Sequence, residues 1–201
     1  VFGDWSSDVC SSDLALAQQV AEITAQSSPH VLEVGAGTGH LAADLLLALD
    51  RLGCAPEHYS ILEVSGELRG RQADTLRERA PALAGRVRWI DALPEHFSGA
   101  VVANEVLDVM PVHVLFWRDG AVFERGVAIK ASGGFAWADS PASEHLRVAS
   151  EGLDAPTPAE GEYVSELNLA GPAWVADWSA RLDTGALLLI DYGYPRAEYY
   201  L

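Results

Sequence analysis

Three glycines at alternate positions, Gly35, Gly37 and Gly39, follow the apolar run VLEV, and a carboxylate, Glu33, stands two residues ahead of the first. Glycines spaced in this way let a strand turn sharply into a helix and let backbone N–H groups approach a ligand closely. A dinucleotide fingerprint requires its third glycine where His40 stands. No lysine follows the glycines, so the loop is not a phosphate-binding P-loop. A carboxylate beside the turn opposes a pyrophosphate and favours a ligand that carries an ammonium and a sulfonium. That charge argument selects S-adenosylmethionine (SAM) over NAD. The alternative is a glycine turn that serves only the strand-to-helix connection.

Other polar residues fall at the ends of apolar segments. Glu63 closes YSILEV, where a carboxylate can accept two hydrogen bonds from a ribose diol; the alternative is a surface acid near the positive N-terminus of the next helix. Asp91 follows VRWI and suits either an adenine amino group or the cap of DALPEHF, and Trp89 beside it is placed for adenine stacking. ANEVLDVMP gathers Asn104, Glu105 and Asp108, with Glu105 and Asp108 on one side if a helical turn follows. Methyl transfer from a sulfonium needs chiefly that a lone pair be aligned with the methyl group. Carboxylates that grip a guanidinium or amine would supply alignment, offset a second cation and accept the proton lost afterwards. The alternative is a capped helix start closed by Pro111. His40 and His113 read as surface or packing residues.

The elements that must position these groups follow from periodicity. Leu16, Val20 and Ile23 sit at helical spacing in LALAQQVAEITAQ, and HLAADLLLALDRLG, SGELRGRQADTLRERA and AGPAWVADWSARL are further helices, the second of these capped by Ser65. Strands are expected at 31–34, 59–64, 87–90, 99–104 and 185–193. Apolar strands separated by helices form a parallel sheet covered on both faces, so the fold class is a Rossmann-like α/β sandwich. Between Pro111 and about Ser140 the alternation, with turns at Asp119 and Gly120 and at Gly133 and Gly134, predicts an inserted antiparallel meander. Residues 150–161, rich in Pro, Gly and Ala, read as a mobile returning loop. The domain reading is one partial domain over 14–201 with an insertion over 111–160.

Composition limits the partners. The 201 residues are 49% hydrophobic and carry a net charge of -16, which repels phosphate backbones and argues against nucleic acid while welcoming cationic substrates. No run suits a membrane span. Cys10 and Cys54 form neither a metal spacing nor a disulfide framework and read as reduced thiols, so no metal is expected. Residues 1–13 repeat Ser-Ser-Asp, and DVCSSDL resembles the translation of a sequencing-adapter oligonucleotide; the segment is read as an artefact or a disordered tail.

The segments ALAQQVAEI, VLEVGAGTGHLAADLL, YSILEVSGELRGRQ, VVANEVLDVMPVHVL and GALLLIDYGY resemble the MidA-like class I SAM-dependent methyltransferases, the family of the mitochondrial complex I assembly-factor methyltransferase. The resemblance implies a seven-stranded sheet, SAM as donor and, in the mitochondrial branch, dimethylation of an arginine in a respiratory complex subunit. It implies that Glu33, Gly35, Gly37 and Gly39 form the SAM loop, that Glu63 binds ribose and that Asn104, Glu105, Asp108 and Pro111 form the strand-four motif. Asp191, Tyr192 and Gly193 would line the rim after strand five, and Glu166 matches an acidic position near the substrate, although Asn168 and Leu169 depart from the usual pattern beside it. The family's final antiparallel strand pair is not found before Leu201. The compartment implied is the bacterial cytoplasm, or the mitochondrial matrix for a eukaryotic source. Three readings follow: a protein arginine methyltransferase, a methyltransferase for a small molecule or another side chain, and a non-catalytic assembly factor.

Overall fold

The structure is a computed structural model that describes residues 11–153 and 161–199. Most of the 1–13 tail and residues 154–160 of the expected 150–161 loop lie outside the described residues. In chain order the elements are α1 (Ser11–Gln26), β1 (His30–Val34), α2 (His40–Arg51), β2 (His58–Leu62), α3 (Gly66–Arg79), a 3-10 turn (Ala84–Arg86), β3 (Val87–Ile90) and β4 (Phe97–Asn104). There follow β5 (His113–Arg118), β6 (Ala121–Ile129), β7 (Phe135–Pro141), α4 (Glu144–Ser150), β8 (Glu162–Leu167), α5 (Ala170–Arg181), β9 (Leu182–Ile190) and α6 (Arg196–Tyr199). They divide into two compact units, one of Val1–Asp108 with Ala176–Asp191, the other of Val109–Val175 with Tyr192–Leu201.

The first unit holds a five-stranded sheet in the order β3-β2-β1-β4-β9, parallel at every described pairing. Strands without polar alternation end up covered on both faces: Val31, Leu32 and Val34 of β1 and Ala100, Val101, Val102 and Ala103 of β4 are all buried. On one side Leu45, Leu46 and Leu49 of α2 and Ala17 and Val20 of α1 form a continuous core with Val31, Tyr59, Ile61, Ala100 and Val102. Ser65 caps α3, its hydroxyl accepting from the Leu68 N–H at 3.3 Å. The parallel α/β sheet and the separate antiparallel sheet expected from the sequence are both present.

The second unit contains the antiparallel sheet, in the order β7-β6-β5-β8. Asp119 and Gly120 turn β5 into β6 with φ of 51° and 74°, the two positive values a type I′ hairpin needs. The second turn closes with the Lys130 N–H on the Gly134 carbonyl at 3.0 Å. Leu115, Trp117, Leu146 and Leu167 form this unit's own core.

β8, α4 and the four-residue α6 were not anticipated. β8 adds to β5 and carries the second unit past residue 160, the expected end of the insertion; its residues EYVSEL have no local turn to announce a strand whose partner lies some fifty positions earlier. α4 is seven residues long, too short for a period to register, and is recognisable only by its Ser143 cap. α1 begins at Ser11 rather than Leu14, and β4 and β9 begin earlier than their apolar runs.

β9 pairs with β4 along one side, and no described strand occupies the other. Leu189 and Ile190 are exposed at the end of this strand. A long apolar edge recruits other chains. Light scattering on the 201-residue chain is expected to show concentration-dependent self-association, reduced by Leu189→Lys. A monodisperse wild-type chain would show that this edge is protected.

Candidate functional site

Strand order reverses direction at β1: the chain moves outward through β2 and β3, then returns to the other side with β4 and β9. In such sheets the crevice for ligands lies beyond the carboxyl ends of the strands at this switch. Those ends carry a row of acids. Glu33 is the penultimate residue of β1, and Glu63, Asp91, Glu105 and Asp191 each directly follow β2, β3, β4 and β9. The sequence-selected acids of this unit are therefore gathered on one rim. Such a rim attracts a cationic ligand and repels a pyrophosphate.

The glycine loop leaves β1 at this rim. Gly35, at φ 73°, needs both its conformation and its lack of a side chain, since a Cβ there would stand 2.9 Å from Cγ2 of Val106 in the turn after β4. Gly39, at φ 86°, lies against α3, where a Cβ would meet the Gln72 backbone at 3.0 Å. At Gly37, φ 52°, an added Cβ would meet nothing within 4 Å. The loop thus sits close to two supports and is open between them.

Glu33 is 1% exposed beneath this loop, and its Oε2 accepts from the Tyr59 hydroxyl at 2.6 Å. Burial pushes its carboxyl up to about 7, against the smaller opposing effect of the Tyr59 bond. The Tyr59 phenol is driven up, first by burial and then by the Glu33 charge.

Glu63 is half-buried and held from several sides. Its Oε1 accepts from the Ser65 N–H at 2.8 Å and its Oε2 from the Gln72 amide at 3.3 Å. Its N–H donates to the Ile90 carbonyl at 3.0 Å, and Arg69 donates to its carbonyl through Nε at 2.7 Å. A carboxylate offers about four lone-pair positions. The chain's two bonds leave a lone pair on each oxygen, which matches a vicinal diol. Asp91 is exposed past β3, while the Trp89 indole N–H donates to Gln72 at 2.8 Å.

After β4, Asn104 is partly buried and Glu105 and Asp108 are exposed. Glu105 has a φ of 51°, unusual for a residue with a side chain, and its N–H donates to the Ile190 carbonyl at 2.8 Å. The Asp191 Oδ2 accepts from the N–H groups of Leu107 and Asp108 at 3.0 and 3.2 Å, so the end of β9 fixes the turn that carries Glu105 and Asp108. Glu166 is exposed on β8 and Pro111 precedes β5, both in the second unit; Tyr192 and Gly193 also fall there.

Sequence reasoning missed Tyr59 and Gln72. Gln72 had a signal, a polar residue one turn from Leu68 and Leu76 on the inner face of α3. Tyr59 had none, since its meeting with Glu33 depends on the register that sets Val31 beside it. Among the described residues no group of three or more His, Cys, Asp or Glu could hold a metal, and no helix is long and apolar enough to cross a membrane.

Two solved structures from Burkholderia thailandensis are similar to this chain. A COG1565 superfamily member bound to S-adenosyl-homocysteine shares 48% identity at a TM-score of 0.84, covering 94% of this chain and 48% of that one. An uncharacterized COG1565 superfamily protein shares 45% identity at a TM-score of 0.85, covering 98% and 54%. The chain therefore spans about half the length of these relatives. A segment of 97 residues, 47% of this chain and 4% of the other, is 29% identical to 3-methylorcinaldehyde synthase tropA of Talaromyces stipitatus. The family model described as "Putative S-adenosyl-L-methionine-dependent methyltransferase" matches residues 15–200, and the chain belongs to that family.

Proposed function

We propose that this chain is the SAM-binding part of a MidA-like methyltransferase that modifies an arginine side chain of a protein, a respiratory complex subunit being the substrate that the resemblance suggests. The observation that carries the donor assignment is the acidic rim around an open glycine loop, with Glu63 retaining one lone pair on each oxygen. When bound, SAM supplies an electrophilic methyl group on a sulfonium. Glu63 would hold the ribose diol, with Asp91 and Trp89 toward the adenine. Gly35, Gly37 and Gly39 would let the loop backbone approach the ligand, and Glu33, whose raised carboxyl a bound cation would favour in its ionised form, would set a negative charge beneath it.

Asn104, Glu105 and Asp108 face the acceptor in this reading. A guanidinium gripped by two carboxylates is held in plane by bidentate hydrogen bonds, which orients its nitrogen and offsets its charge. Glu105 and Asp108 then accept the proton lost after transfer. Glu166 is assigned to the acceptor side. The positive φ at Glu105 supports this role, because strain at a non-glycine residue persists where the side chain has a task.

The test uses the complete gene product, labelled SAM and an extract from cells lacking the gene. Label is expected on arginine of a discrete protein. Glu105→Gln removes charge and keeps shape, so it is expected to lower transfer at least about tenfold while leaving SAM affinity within about twofold. Asp108→Asn is expected to act in the same direction but less. Glu105→Gly is expected to raise stability by about 1 kcal/mol through relief of the left-handed strain, yet to lose transfer equally. Label on a small molecule instead would identify the other methyltransferase reading, and SAM binding without turnover the assembly-factor reading. Equal loss of SAM affinity in Glu105→Gln would place Glu105 in the donor site.

A further inference from the structure

We infer that Gln72 is a positioning residue of the SAM site, setting the glycine loop and the Glu63 carboxylate in one fixed relation. It lies on the inner face of α3 and is fully buried, one of the few polar side chains in the first unit's interior. Its amide makes three bonds to three different elements. Nε2 donates to the Gly37 carbonyl at 2.9 Å and to the Glu63 Oε2 at 3.3 Å, and Oε1 accepts the Trp89 indole N–H at 2.8 Å. One planar group therefore joins the loop after β1, the acid after β2 and the aromatic of β3.

Placement is tight as well as polar. The Gly39 position approaches the Gln72 backbone so closely that a methyl group there would stand 3.0 Å from its Cα. Neighbours on the same helix face extend the contact, since the Thr75 hydroxyl donates to the Thr38 carbonyl at 2.8 Å and Arg69 grips the Glu63 carbonyl. Each bond from Gln72 ends on a group that the SAM reading uses, and this inference rests on that reading. A buried amide of this kind costs free energy unless every bond is made, so the three partners are held together or not at all.

The chemistry of the amide makes the role separable from simple packing. Methionine at 72 keeps the volume and deletes all three bonds. Glutamate at 72 keeps the acceptor for Trp89, but when ionised it offers no donor to Gly37 and adds a negative charge beside Glu63, with Arg69 as the cation on the same helix. Protonation of that glutamate restores a donor.

The experiment measures SAM affinity by calorimetry at about pH 6 and about pH 8, and amide hydrogen exchange of residues 35–39 without ligand, on the complete gene product. Gln72→Met is expected to weaken SAM binding at least about tenfold and to speed exchange in the loop by a similar factor, with exchange in β4 unchanged. Gln72→Glu, divided by wild type at each pH so that the titration of Glu33 cancels, is expected to be several-fold closer to wild type at the lower pH. Rescue of this kind is not expected of a residue that only fills space. Folded variants with SAM affinity within about twofold of wild type and unchanged loop exchange would overturn the inference. So would a Gln72→Glu ratio flat with pH. Wild-type protein that binds no SAM while Gln72→Met still loosens the loop would refute the donor assignment and leave the positioning of the loop standing. If Gln72→Met unfolds, the Gln72→Glu ratio and its loop exchange decide.

Discussion

Between about pH 5 and about pH 8 the unfolding free energy of the wild-type chain is expected to fall by roughly 2 to 3 kcal/mol more than that of Glu33→Gln. Glu33 is buried beneath the glycine loop with a carboxyl raised from 4.5 to about 7, chiefly by loss of water. A folded value above the unfolded one means that the folded state binds the proton more tightly. The contribution is therefore fully present below about pH 4.5 and is lost as pH rises through about 7; its full span is roughly 3 to 4 kcal/mol by the conversion of roughly 1.4 kcal/mol per unit. Glutamine at 33 still accepts from Tyr59 but leaves a buried amide N–H to find a partner, a cost that is the same at each pH. The slope, not the absolute stability, is thus the readout in urea titrations. A cationic ligand nearby would favour the ionised form, so SAM affinity is expected to rise with pH through this range in wild type and to stay flatter in Glu33→Gln. Parallel stability profiles would show that Glu33 is ionised in the folded state and hydrated in a way its burial does not suggest.

Loss of the Glu63 carboxylate is the second large effect. Glu63→Ala is expected to weaken SAM binding by about 1 to 3 kcal/mol, the range for hydrogen bonds to a charged group. Its carboxylate also takes the Ser65 N–H and the Gln72 amide, so alanine removes an internal brace as well as a ligand contact. Glu63→Gln separates the two: it keeps one acceptor and most of the shape, and is expected to fall between alanine and wild type in affinity with near-wild-type stability. NAD is expected not to bind, since the same acids that suit a sulfonium repel a pyrophosphate. Calorimetry with both ligands on the complete gene product checks this, and tight NAD binding with no response to SAM would overturn the donor assignment.

Local signals were enough wherever an element announces itself within a few residues. The apolar runs around Val31, Ile61, Val101 and Leu188 marked parallel strands because burial on both faces leaves no polar alternation. The glycine turn, the Ser65 cap and the Asp119 and Gly120 hairpin each rest on a backbone conformation that few residue types adopt. The acids at strand ends were legible for the same reason: once the strands were placed, Glu63, Asp91 and Glu105 had to fall on one edge.

What the sequence by itself determined, then, is the α/β plan, the meander and the identity of the acids on the rim, since each depends on periodicity, turn chemistry or position relative to a strand end. Only the tertiary structure decided how those acids differ. Register between β1 and β2 brings Tyr59 to Glu33, and burial there raises its carboxyl, whereas Glu63 at the next strand end stays half-open with bonds from Ser65 and Gln72. The turn after β4 is shaped by Asp191, more than eighty residues away, and β8 finds its place only through β5. These are contacts between residues distant in the chain, and their free energy comes from exclusion of water and from hydrogen-bond geometry that no local pattern encodes.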